Sequence, residues 1–177
     1  RVSTSALLRN WAIVYAGNLV GAIGMAVMIH ASGVLDMGGG SVGETAIAIT
    51  SSKLALGPEQ AFVRGVLCNV LVCLAVWMCF AARGVSGKVS VIIPPITAFV
   101  VLGFEHSVAN MYLVPVGMLH RDGVINVVAL VASLLPVTAG NIVGGGVLVA
   151  LVYWLIYLRP EREGAGNRIV TDPKVPK

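Results

Sequence analysis

The sequence predicts an all-α protein, a polytopic bundle of membrane-spanning helices, on three observations. The first is composition: 57% of the 177 residues are hydrophobic and the mean hydropathy is +0.90. Charged residues make up 11%, against about 25% in a soluble domain. A globule of this size cannot bury that much apolar surface, so the chain is expected in a bilayer. The second is arrangement, because the apolar residues gather into long segments divided by short polar links. The third is charge. The net charge of +4 comes from basic residues near the chain ends and in one short link, without a basic stripe interleaved with aromatics. That is a topology signal, and nucleic-acid binding is not expected.

Four apolar segments follow in order, at about 11–31, 61–82, 89–118 and 136–158. The first is longer than the roughly 7–15 apolar residues of a signal peptide, so it reads as a span, and a start at Arg1 rather than Met reads as the interior of a longer chain. The second carries Arg64, Asn69 and three cysteines, Cys68, Cys73 and Cys79, without C-x-x-C spacing. These cysteines read as small buried hydrophobes, and neither a metal nor a cofactor is expected. The fourth is expected to start its crossing near Pro136, after an apolar lead-in from Val124.

The third segment is too long for one straight crossing. Its roughly 30 residues would make about 45 Å of helix, against about 30 Å of hydrocarbon. Proline stands at both ends (Pro94, Pro95, Pro115) and Gly103 lies in the middle. A broken helix is expected, interrupted at 103–106. Backbone freed at such a break must be buried in protein or line a cavity, because lipid cannot satisfy it.

The links set the orientation. Arg1 and Arg9 precede the first span. Asp36, Glu44 and Glu59 outnumber Lys53 in the next link, and Arg83 and Lys88 follow the second span. Arg159, Arg162, Arg168, Lys174 and Lys177 end the chain. The basic sections alternate as four spans require, which places 161–177 as a cytoplasmic tail after one transmembrane domain, 1–160. The first and last spans also carry nearly identical hexapeptides, AGNLVG at 16–21 and AGNIVG at 139–144. These spans run in opposite directions, so the pair points to an inverted-topology repeat; chance in a Gly- and Val-rich chain is the alternative. The glycines have a simpler use as close-packing faces.

The residues that can carry chemistry cluster at the break, in GFEHSVAN from Gly103 to Asn110. An ionisable side chain at mid-membrane costs about 2.5–3.5 kcal/mol even on the insertion scale, so it faces a cavity or a partner. His106 stands where a half-helix begins, with free N–H groups and the positive end of the helix dipole, and imidazole exchanges protons near neutrality. Together these describe a site for a small anion. The plain alternative is a buried histidine bonded to a neighbour's backbone. Glu105 would repel an anion and is expected to cap backbone N–H groups or pair with Arg64, while Ser107 and Asn110 are expected to cap or cross-link helices. Lys53 is the lone basic residue of its link, where it would be solvated or gather anions at a pore mouth. Asn141 offers a neutral donor to an oxyanion. Phe99, about two turns before His106, can form an apolar constriction or simply pack.

FEHSVANMY at the break, PVTAGNIVGG in the last span, NW-x-x-V-Y-x-G-N-x-x-G in the first and RGVLCNVLVCLAVW in the second resemble the formate/nitrite transporter family, from about Ser5 to Arg159. The resemblance implies an aquaporin-like fold of six spans with an inverted repeat. It implies a homopentamer in the bacterial inner membrane with a pore in each protomer, passing formate, nitrite or hydrosulfide. Carried over by motif, His106 is the central pore histidine, Lys53 the vestibule lysine, Asn141 a pore-facing asparagine and Phe99 part of a constriction. This chain holds about four of the six spans, so it reads as a fragment, and the absent pair would contain the other broken helix. Two rivals fare worse. A neutral-solute pore of aquaporin type lacks its paired N-P-A boxes. An intramembrane hydrolase using Ser107 with His106 would need adjacent residues, about 100° apart on a helix, to meet, and G-x-S-x-G is absent. No enzyme activity is expected.

Overall fold

The structure is a computed structural model that describes residues 3–158. It is all-helical, with helices α1 (Thr4–Ala31), α2 (Ser41–Leu54), α3 (Pro58–Ala81), α4 (Val85–Val101), α5 (Ser107–Asp122) and α6 (Val127–Tyr157). Of these, α1, α3 and α6 are each long and apolar enough to cross a membrane, with mean hydropathies of 1.9, 2.1 and 1.9. Their outward faces carry large apolar side chains at high exposure, such as Phe80 at 82% and Val128 at 79%. Surface of that kind suits lipid or protein rather than water. The expected tail, 161–177, and Arg1 lie outside the described residues.

Local chemistry sets the helix ends. The Ser3 hydroxyl accepts from the Ala6 N–H at 3.2 Å and starts α1. Pro58 occupies the first turn of α3, where its missing N–H costs nothing. The Asn126 carboxamide accepts from the Ala129 N–H at 3.0 Å and starts α6. The helix therefore begins well before Pro136 and runs through it. The apolar lead-in from Val124 that the sequence analysis sets before the crossing is thus part of the same helix from Val127 onward. Past Asn141, α6 widens to a π-helical stretch over Ile142–Val149, which contains Gly144, Gly145 and Gly146.

The tightest crossing joins α3 to α6. A Cβ on Gly140 would collide with the Phe62 carbonyl oxygen, and one on Gly144 with that of Val66. From the α3 side, a Cβ on Gly65 would lie 2.8 Å from the Val137 carbonyl oxygen. Backbone cannot yield as a side chain can, so glycine on both faces is what lets these axes approach. The buried core lies between α5 and its neighbours: Met111, Val114 and Met118 on α5 meet Leu130 and Leu134 on α6, with Leu19 and Ile23 of α1 against them.

Helix α2 occupies the link that the charge count treats as a loop. Its Thr50, 1% exposed, donates its hydroxyl proton to the Leu113 carbonyl at 2.9 Å. Gly117 of α5 leaves room for Thr50. The packing binds α2 along α5 and sets the position of Lys53 in the last turn of α2.

Candidate functional site

The site is the interruption between α4 and α5, and the backbone there is almost fully accounted for. Helix α4 ends at Val101. The Gly103 N–H donates to the Val100 carbonyl at 3.1 Å and the Phe104 N–H to the Phe99 carbonyl at 3.0 Å. These are the two bonds of a Schellman close, and it requires Gly103 in the left-handed region, at φ 66°. The chain then crosses toward α3, where the Glu105 N–H donates to the Arg64 carbonyl at 3.3 Å. Helix α5 restarts at Ser107.

A set of polar side chains holds this interruption. Asn141, on α6, accepts from the Ser107 N–H at 2.9 Å and donates to the carbonyls of Gly65 at 2.8 Å and Glu105 at 3.0 Å. Both amide protons are engaged, so in this arrangement the donor expected for an oxyanion is spent on the backbone. Its main-chain carbonyl accepts from the Asn69 carboxamide on α3, a residue that the sequence reading named without giving it a role. Arg64 donates to the Gly103 carbonyl at 3.4 Å. The expected pairing of Arg64 with Glu105 is replaced by another: Lys53 Nζ lies 3.0 Å from both Glu105 oxygens, and the Asn110 carboxamide donates to the same carboxylate. Glu105 and Lys53 side chains are 4% and 14% exposed. A carboxylate that deeply placed needs both its counter-ion and its hydrogen bonds.

His106 is half-buried at the N-terminus of α5. Its Nδ1 accepts from the Ala109 N–H at 3.4 Å. With Nδ1 serving as acceptor, the neutral ring carries its proton on Nε2. The ring stacks on Phe99, with centroids 6.1 Å apart and planes at 29°. Phe99 lies in the last turns of α4, so the constriction candidate and the histidine face each other across the interruption. The N–H of Val108 has no partner among the described residues, which leaves a donor at the positive end of α5.

Of the residues singled out from sequence, His106 and Phe99 are in contact. Asn141, Ser107, Glu105, Asn110 and Lys53 form one connected set of bonds beside them. Lys53 and Asn110 also line a cavity of about 250 Å³ between α2, α3, α5 and α6, with Glu105 and Ser133. Within that set the Asn110 side-chain carboxamide oxygen is buried without a partner among the described residues. Among the described residues no group of His, Cys, Asp and Glu could hold a metal ion.

The sequence profile of the formate/nitrite transporter family matches residues 1–155. The chain is 37% identical over 179 residues to the formate channel FocA of Escherichia coli, covering 90% of this chain and 62% of that protein. It is 42% identical over 172 residues to a probable formate transporter of Methanothermobacter thermautotrophicus, with the same coverages of 90% and 62%. Among solved structures, it superposes on a pentameric formate channel with formate bound at a TM-score of 0.82, with 44% identity, covering 90% of this chain and 69% of that one. An FNT family ion channel gives a TM-score of 0.74 at 32% identity, with coverages of 90% and 62%. The chain therefore spans less than two thirds of the length of these curated relatives.

Proposed function

The chain belongs to the formate/nitrite transporter family, and we propose that it supplies the larger part of a transmembrane pore that passes small monovalent anions, formate foremost, past His106. Membership makes it a membrane transporter or channel and not an enzyme. Formate is favoured over nitrite and hydrosulfide because the similar proteins include named formate channels. We further propose a homopentamer, as in the similar solved channel, in the bacterial inner membrane, with the C-terminus cytoplasmic by the charge pattern.

The observation that carries this reading is the interrupted helix with an imidazole at its restart, stacked on an aromatic ring. A carboxylic acid with a pKa near 4 is about 99.9% ionised at pH 7. Its anion crosses an apolar constriction only where fixed donors replace water. Nε2–H of His106, the free Val108 N–H and the α5 dipole are such donors. Phe99 excludes water beside them. Lys53 supplies positive charge at the approach, tempered by Glu105, while Asn141 holds the donors in place.

The neutral ring can donate a hydrogen bond but not, at any useful rate, its last proton. Proton transfer needs the imidazolium, formed with a proton from the aqueous side; it then returns to neutral imidazole as the anion becomes the acid. The imidazolium carries hydrogen on both nitrogens, so it gives up the bond from the Ala109 N–H. Anion passage on the neutral ring and proton-coupled passage on the charged one thus correspond to two arrangements of the restart of α5.

The test is flux through the intact protein in liposomes. Formate efflux well above that of protein-free vesicles, without glycerol-driven swelling, is expected. Glycerol swelling without formate efflux contradicts the anion reading and restores the neutral-solute pore.

A further inference from the structure

The buried ion pair leaves two hydrogen-bonding groups unmatched, on two residues that line one cavity. The Lys53 ammonium has three N–H donors. Two are directed to the oxygens of Glu105 at 3.0 Å, and the third meets no acceptor among the described residues. Asn110 is 1% exposed. Its Nδ2 donates to Glu105, while its Oδ1 has no partner among the described residues. Turning the carboxamide over would set Oδ1 against the carboxylate, so the charge of Glu105 fixes which atom is left over. Lys53, Glu105 and Asn110 all line the cavity of about 250 Å³, as does Ser133 of α6. The Ser133 hydroxyl donates to the Leu130 carbonyl at 2.8 Å, which leaves its oxygen able to accept.

We propose that this cavity is a binding site for structural water, in which one ordered molecule accepts from the third N–H of Lys53 and donates to Asn110 Oδ1 and Ser133 Oγ. Three hydrogen bonds are typical of a buried water. Room is ample, because one water needs about 10–15 Å³ of such space, so further molecules fit beside it. The polar groups of the wall exclude other small solutes. They present three acceptors, Glu105, Asn110 Oδ1 and Ser133 Oγ, against one donor. A carboxylate anion only accepts, so it would use Lys53 alone and stand beside the charge of Glu105. An ammonium ion only donates, and it would stand beside the Lys53 cation. Water gives and takes and carries no charge. The rest of the wall includes Leu54, Ala129 and Val137, which offer an ion nothing. A buried pair needs its remaining protons satisfied as well as its geometry. The held water supplies the bond that the pair's own partners do not, and it keeps anions out of the space beside Glu105. The site is independent of what the pore carries.

Two measurements on the unmodified, intact protein in formate-free buffer test it. The first is radiolytic hydroxyl labelling, in which X-rays split water held against a side chain and the hydroxyl radical oxidises its neighbour. Val137 lines the cavity at 1% exposure, whereas Val114, at 0%, lies in the apolar core between α5 and α6. The two side chains are alike in chemistry and burial and differ in what lies beside them. Val137 is expected to be labelled at least fivefold faster than Val114. Equal labelling of the two overturns the proposal. The second measurement is a structure of the intact protein fine enough to show ordered water. A water is expected within about 2.5–3.2 Å of both Asn110 Oδ1 and Lys53 Nζ. Direct contact between those two atoms, a dry cavity, or an anion in the water's place overturns the proposal. Neither measurement reads flux, so a protein that carries no formate would fail the pore reading and leave the water site decided on its own evidence.

Discussion

Lys53, in the last turn of α2, donates to both carboxylate oxygens of Glu105 at 3.0 Å, across 52 residues of sequence. The pair ties α2 to the interruption between α4 and α5. Because the two side chains are 14% and 4% exposed, neither charge has bulk water to fall back on. Removing one partner of a buried pair costs about 3–5 kcal/mol, more than the pair contributes net, because the other charge is stranded. Lys53→Met is therefore expected to lower the thermal unfolding temperature of the detergent-solubilised protein clearly, and Lys53→Met/Glu105→Leu is expected to recover part of the loss. A double variant no more stable than the single one would show that the pair is not the relevant coupling.

Asn141 satisfies the Ser107 N–H and the carbonyls of Gly65 and Glu105. Asn141→Leu leaves three buried backbone groups unpaired, at about 1–3 kcal/mol each. Loss of folded protein or a strongly lowered unfolding temperature is expected. Asn141→Asp keeps the acceptor for Ser107 and loses both donors, so it should fall between leucine and wild type on the same thermal scale.

Gly140→Ala drives a methyl group into the Phe62 carbonyl, with Val66 and Gly65 backbone atoms at 3.0 and 3.1 Å behind it. Overpacking of this kind costs about 1–3 kcal/mol. At Gly103 the cause differs: φ is 66° and the nearest neighbour to an added Cβ is 3.9 Å away. Gly103→Ala is a strain measurement of about 1–2 kcal/mol without a clash. Both should appear as lowered thermal stability, with the larger loss at Gly140.

Phe99 stacks on His106 at a centroid distance of 6.1 Å. If this ring narrows the pathway, Phe99→Ala should admit solutes that the wild type excludes. Stopped-flow swelling with glycerol should rise severalfold while formate flux persists. Unchanged exclusion of glycerol would assign Phe99 to packing alone.

The fold was readable in the sequence because lipid imposes simple rules: long apolar runs must be helices, and a run too long for one crossing must break where Gly103 allows it. Helix α2 was not, since its 14 residues mix charge, threonine and small apolar side chains without a strong face. What makes it a helix is Thr50 bonding to the Leu113 carbonyl and fitting beside Gly117, contacts that exist only once α5 is in place. The cluster at the break announced itself as polar residues in apolar surroundings, but its pairings did not. Lys53 is drawn to Glu105 by the way α2 packs, and Arg64, closer in sequence, is taken up by the Gly103 carbonyl. Nothing in the order of residues marks which cation a buried carboxylate will meet. The near-repeat of AGNLVG and AGNIVG was visible as letters, but that the second copy bonds the backbone of α3 and of the interruption through Asn141 was not.

The central claim is that an anion passes the His106 imidazole at the restart of α5, and formate flux against pH in proteoliposomes, for the intact protein and its His106→Phe variant, tests it most directly. Phenylalanine keeps the ring against Phe99 and removes both nitrogens. The account predicts at least a tenfold loss of flux and a flat pH response in the variant, with the protein still folded and assembled. Equal flux and an unchanged pH response in the two proteins would contradict it.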